Sequence, residues 1–162
     1  MKSDTNKMQN ILKEYEGGLV KTAIKKFNKY ILKFPKDNTA RYNFSIILEK
    51  TGDTKNAIIN YEKIILRDPN HWQSKLNLFL IFFHLTRFEE ALSLVNDVII
   101  IKPNYQSALR EKAHILYKLN RLDDALNVII ISVKFNNKDF IALNIMGMIY
   151  AGMKNFKLAI SI

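Results

Sequence analysis

No cysteine occurs among the 162 residues, so the chain has no disulfide framework and no thiolate metal site, and it suits a reducing compartment. Glycine and proline are also scarce, with 5 and 3 residues respectively. An all-β protein needs far more turn residues than that, so the shortage excludes that class and points to an all-α one. Long apolar runs are missing as well: the longest, Leu78 to Phe83, is far too short to span a bilayer. The opening Met1-Lys2-Ser3-Asp4-Thr5-Asn6 has no apolar stretch of the signal-peptide kind. These absences predict a soluble cytoplasmic chain without a membrane span. At 48% hydrophobic residues, the chain still has the material for a sizeable core.

What the sequence does contain is a period. Ala23, Ala57, Ala91, Ala125 and Ala159 follow one another at an interval of 34 residues, each trailed by Ile or Leu, and Pro35, Pro69 and Pro103 keep the same interval. A fixed interval of that length is the mark of stacked helical units. Within Asn38 to His71, Tyr42, Phe44, Ile46, Ile47 and Leu48 make one apolar helix. Gly52-Asp53 breaks it, and Ala57, Ile58, Tyr61, Ile64 and Ile65 recur at helical spacing up to Pro69, which gives a helix, a tight turn and a second antiparallel helix. The small residue at Ala57 lets the helices approach, and Pro69 stops the second one. Thr86-Arg87-Phe88-Glu89 and Asn120-Arg121-Leu122-Asp123 have capping-box spacing, which places Glu89-Glu90 and Asp123-Asp124 in first helical turns. Because they repeat at equivalent positions, these acidic pairs read as caps rather than as catalytic carboxylates.

Ser45, Leu48, Gly52, Ala57, Tyr61 and Pro69, with Gly147, Tyr150, Phe156 and Ala159 near the end, resemble the pattern of tetratricopeptide repeats over nearly the whole chain. The resemblance implies a right-handed superhelical solenoid of antiparallel helix pairs, with units at about 4–37, 38–71, 72–105, 106–139 and an incomplete 140–162. Arg41, Lys75, Leu109 and Leu143 depart from the family's tryptophan-like position, and Phe79 takes a place expected to be small, which would splay the third helix pair. The first unit fits best if its Gly17-Gly18 turn is one residue shorter than the others, with Met8, Ile11, Leu12 and Tyr15 buried. The fifth unit stops inside its second helix with Ala159, Ile160 and Ile162 uncovered, so a longer protein and self-association through this end are expected.

In such arrays the first helices line a concave groove for a peptide or partner segment. By this resemblance the groove takes Asn10 and Lys13; Tyr42, Asn43, Ile46 and Glu49; Leu76, Asn77, Leu80 and Phe83; and Arg110, Glu111, His114 and Lys118. With the shortened first turn, Asn10, Asn43 and Asn77 fall on one position. An amide both donates to and accepts from a peptide unit, and the arrangement is similar to the asparagine ladder in O-linked N-acetylglucosamine transferases. The clamp of Lys, Asn and Arg residues with which related domains grip the acidic C-terminus of heat-shock chaperones is absent; of its positions only Asn43 matches.

The formal net charge is +10, and residues 4–37 carry the largest share of it. Lys21, Lys25, Lys29 and Lys33 recur every four residues on one helix face, where like charges cost roughly 0.2–0.5 kcal/mol per pair. That stripe reads first as a solvated outer face, its alternative being weak, salt-sensitive contact with an acidic surface, and the strict interval with its Ala and Pro signature favours protein partners over specific nucleic-acid recognition. There is no Gly-rich phosphate loop, nucleophile motif or metal-ligand spacing, and His71, His84 and His114 are scattered, so neither cofactor, metal nor catalysis is expected. The sequence therefore predicts a non-catalytic protein-interaction scaffold. The alternative is a substrate-recruiting arm of a glycosyltransferase- or sulfotransferase-like enzyme.

Overall fold

The computed structural model describes residues 2–160. Among them every regular element is an α-helix: α1 (Lys2–Glu16), α2 (Val20–Lys33), α3 (Asn38–Lys50), α4 (Thr54–Arg67), α5 (Trp72–His84), α6 (Phe88–Ile101), α7 (Gln106–Lys118), α8 (Leu122–Phe135), α9 (Phe140–Gly152) and α10 (Phe156–Ile160). Apart from the start of α1 and the last residue given for α10, their starts and stops repeat at the interval of the alanines. The chain divides within α5 into two compact bodies, Met1–Ser74 and Lys75–Ile162.

One backbone device makes every hairpin turn. Gly18, Gly52, Thr86, Asn120 and Lys154 all have positive φ, between 58° and 85°, each two residues past a helix end. The next residue's N–H then reaches back five positions: Leu19 to Glu14, Asp53 to Leu48, Arg87 to Phe82, Arg121 to Leu116 and Asn155 to Tyr150, at 2.8 or 2.9 Å. This closure satisfies carbonyls that a helix end leaves unpaired. It also corrects the sequence reading twice.

First, Gly17-Gly18 is indeed a turn, but it is no shorter than the others, because Gly18 lies a full repeat before Gly52. Asn10 therefore stands level with Phe44, and Gln9 with Asn43. Met8, Ile11, Leu12 and Tyr15 are buried or half-buried nonetheless. Second, the capping boxes do not form. Thr86 and Asn120 are used as the left-handed residues, one place too early to cap. The N-caps are Arg87 and Arg121, whose side chains make no capping bond to a backbone N–H. The acidic pairs do occupy the first turns of α6 and α8, where Glu90 and Asp124 accept from Arg87 and Arg121. Side-chain caps come from aspartates elsewhere: Asp37 accepts from the Ala40 N–H at 2.9 Å, and Asp139 from Ile141 and Ala142 at 3.0 and 3.1 Å. At the corresponding place before α5, His71 Nδ1 accepts from the Ser74 N–H at 3.2 Å.

In the first body, Ala23 and Ala57 are fully buried, and Phe27 of α2 stacks on Phe44 of α3 with ring centroids 5.5 Å apart. A buried phenylalanine contributes about 1.5–3 kcal/mol of transfer free energy, so this pair is a main tie between successive hairpins. Arg41, in the family's tryptophan place, is 5% exposed and survives burial by donating to Asn60 Oδ1 at 2.7 Å and to the Pro35 carbonyl at 3.2 Å. Burial first, then the charge of Arg67, lower its pKa from the ordinary guanidinium value. In the second body Lys75 meets the same problem with a bond to Asp97. Phe79, Val95, Val98, Ile115, Leu116 and Ile129 form its core, with Ala91 and Ala125 fully buried. At the far hairpin a Cβ on Gly147 would lie 3.8 Å from the Ala159 carbonyl, an ordinary contact that shows how near α9 and α10 run. Ala159 is half-buried and Ile160 is 86% exposed; Ile162 lies outside the described residues.

Candidate peptide-binding faces

In the first body, Tyr42, Asn43, Ile46 and Glu49 lie along α3, all half-buried. The Tyr42 ring sits between Tyr61, edge-on at 6.0 Å, and His71 at 5.3 Å. Glu49 accepts from the Tyr61 hydroxyl at 3.2 Å, and the Asn43 amide approaches Met8 Sδ at 3.8 Å. A thioether is a weak acceptor, so the amide keeps capacity for a peptide group. Asn10 does not join this set. It lines a cleft between α1 and α2 instead, on account of the one-residue register difference, and the matching place on α1 is held by another exposed amide, Gln9.

In the second body, Leu76, Asn77 and Phe83 of α5 are half-buried, and Leu80 is 36% exposed. Phe83 is the hub: its ring lies 6.3 Å from Phe79, 6.2 Å from His84, 5.5 Å from Phe88 and 4.9 Å from His114 of α7. Burial first, and the nearby Lys118 second, push the His114 imidazole below its ordinary pKa of 6.5. Glu111, one turn away, is pushed above its ordinary value by burial, with Arg110 opposing. Lys118 is exposed over the Tyr117 ring, 5.9 Å from its centroid.

Arg110 is differently employed from the sequence expectation. Its Nη1 lies 2.7 Å from Asp139 Oδ2, with both side chains largely buried, and so it ties α7 to the cap of α9. Desolvation pushes Asp139 up, but the Ala142 N–H and then Arg110 outweigh it and hold the carboxyl below its ordinary value. Tyr42 stands at the same place in α3 and meets His71 at the same place before α5. The sequence missed this tie because it joins unlike chemistries, an aromatic pair in one unit and an ion pair in another.

Lys21, Lys25, Lys29 and Lys33 lie on α2 and are exposed, as expected. Lys29 and Lys33 line the α1–α2 cleft, whereas Lys21 and Lys25 do not. Among the described residues there is no group of three or more His, Asp or Glu able to hold a metal ion, and no helix long and apolar enough to cross a membrane.

Residues 39–71 match the model of the tetratricopeptide repeat. No curated protein sequence matches the chain. Among solved structures, the chain is similar to a MamA protein at 17% identity and a TM-score of 0.88, covering 99% of this chain and 88% of that one. It is similar to MamA from Desulfovibrio magneticus RS-1 at 14% identity and a TM-score of 0.88, covering 98% and 89%. A tetratricopeptide repeat protein from Parabacteroides merdae ATCC 43184 matches at 17% identity and a TM-score of 0.90, over 98% of this chain and 63% of that one. At such identities the likeness establishes the fold: an all-α solenoid of antiparallel helix pairs of tetratricopeptide type. Arrays of this type present surfaces to protein partners, which supports an interaction scaffold in general terms.

Proposed function

We propose, from a chain whose residues 39–71 are a tetratricopeptide repeat in a solenoid of such hairpins, that the protein is a non-catalytic scaffold binding an extended peptide of a partner protein. The five units are taken as 4–37, 38–71, 72–105, 106–139 and 140–162, and the cytoplasm is the compartment a cysteine-free chain suits. The observation that carries the reading is the repeated placement of Asn43 and Asn77. Both stand at the same position of α3 and α5, half-exposed, with Tyr42 and Ile46 beside the one and Leu80 and Phe83 beside the other. An amide matches the donor and acceptor of a backbone peptide unit whatever its side chain, while the neighbouring apolar groups supply area. In the second body His114 meets Phe83, and Lys118 stands one turn further along α7.

Peptides selected on the protein from a random library test this. Asn43→Ala and Asn77→Ala should each weaken binding by about 0.5–1.5 kcal/mol, the net worth of one hydrogen bond. Lys63→Ala, an exposed change on α4, serves as control. Equal affinity of the double asparagine variant, the control and the parent would end the proposal.

A further inference from the structure

Helices α5, α7 and α9 carry one carboxylate among them, Glu111, and Arg110 Nε stands 4.0 Å from its Oε1. Two carboxylates of other elements are each met by a cation of these helices, Asp97 by Lys75 and Asp139 by Arg110. Lys118, at the end of α7, is exposed and makes no ion pair among the described residues. The acidic first turns of α6 and α8 belong to the second helices of their hairpins, and none of their carboxylates pairs with Lys118. Glu111, His114 and Lys118 stand at i, i+3 and i+7, hence on one face of α7. Beside them the surface is apolar: the His114 ring lies 4.9 Å from Phe83, Leu80 is 36% exposed, and Met148 of α9, one repeat on from His114, is half-buried. With burial first and Lys118 second holding its pKa below 6.5, His114 offers an uncharged ring at neutral pH.

We infer that this face selects a partner peptide in which an aromatic side chain and an acidic one stand two residues apart. The aromatic ring would lie against Leu80, Phe83 and His114, where ring pairs add to the area buried, and the carboxylate would meet Lys118. The spacing follows from two repeats. His114 and Lys118 are separated by four helical residues, about 6 Å of rise, and an extended peptide brings residues i and i+2 to the same side about 6.5–7 Å apart. Charge fixes which end of the face takes the acid, because a carboxylate at the opposite end would approach Glu111 instead. The inference rests on the peptide-binding reading above and adds to it which peptide the second body takes.

The probes are fluorescein-labelled nonapeptides of serine and threonine that carry Trp and Glu two residues apart, in both orders. Fluorescence anisotropy compares them with peptides that have Gln or Lys in place of Glu, or Ala in place of Trp. In the better order Glu should bind about threefold more tightly than Gln and about tenfold more tightly than Lys, the scale of an exposed ion pair and of its reversal. Replacing Trp by Ala should weaken binding about tenfold. Lys118→Gln should erase the preference for Glu, whereas Lys134→Gln, an exposed change on α8, should keep it within about twofold. The imidazole protons of His114, followed by NMR, should move on addition of the Trp peptide and stay in place with its Ala counterpart. Equal binding of the Glu and Lys peptides, an equal loss of preference in Lys134→Gln, or a His114 signal unmoved by a bound Trp peptide would overturn the inference. If Asn77→Ala still weakens those peptides, the peptide-binding reading survives that result. A protein that binds none of the nonapeptides overturns the inference as well, and the random library then shows whether the broader reading falls with it.

Discussion

His114 shows how one contact sets a residue's chemistry. Its ring lies against Phe83, and burial followed by Lys118 holds its pKa below 6.5. Above that value both folded and unfolded chains carry a neutral imidazole. As pH falls through 6.5 the unfolded chain takes the proton first, and stability is lost from there down to the folded pKa. Glu111 has the opposite sign: raised from 4.5 by burial, it contributes stability that is complete below 4.5 and lost as pH rises through its folded value. Phe83→Ala should open the pocket, bring the His114 pKa back toward 6.5 and flatten the acid side of the stability profile. NMR titration of the imidazole measures the first effect and urea midpoints at several pH values the second. An unmoved His114 pKa in Phe83→Ala would show that Phe83 is not what desolvates it. Spacing alone could put Phe83 and His114 on inner helix faces, but not in contact, because their meeting depends on how α5 and α7 are rotated.

At the scale of the element, the turns carry the lesson. Thr86, Asn120 and Lys154 hold the left-handed conformation that Gly18 and Gly52 adopt freely, and a β-branched residue pays most for it. Thr86→Asn is expected to stabilise the chain by about 0.5–1 kcal/mol, and Gly52→Ala to destabilise it by about 1–2 kcal/mol. Urea unfolding reads both; a Thr86→Asn variant no more stable than the parent would mean that the turn relaxes around threonine. Likewise Ala125, fully buried, should cost about 1–3 kcal/mol when replaced by Phe, and an unchanged melting point would contradict the packing. The alanines and prolines made the helix pairs legible because they act where sterics leave no choice. The caps were misread because Thr86 suits both a cap and, less well, a turn, and a single residue of offset decides between them. The same offset moved Asn10 off the inner face. Arg41 and Lys75 looked like departures from the family pattern, yet their partners Asn60, Pro35 and Asp97 lie far off in sequence, beyond the reach of any spacing rule.

Across the molecule, exposed apolar groups are unevenly spread. Of the thirteen exposed large hydrophobic side chains among the described residues, seven fall between Ile131 and Ile160, including Phe140 at 83% and Ile160 at 86%. A repeat buries its apolar face only against a neighbour, so this stretch is expected to drive self-association. The net charge of +10 opposes it, since like-charged copies repel over about a Debye length, roughly 10 Å at 0.1 M salt. Salt should therefore strengthen association through these apolar groups by screening that repulsion. Sedimentation velocity at rising concentration should show larger species, more of them at high salt, and Phe156→Glu/Ile160→Glu should remove them. A chain that stays monomeric at every concentration and salt, or a double variant that associates as the parent does, would show that these side chains do not drive association.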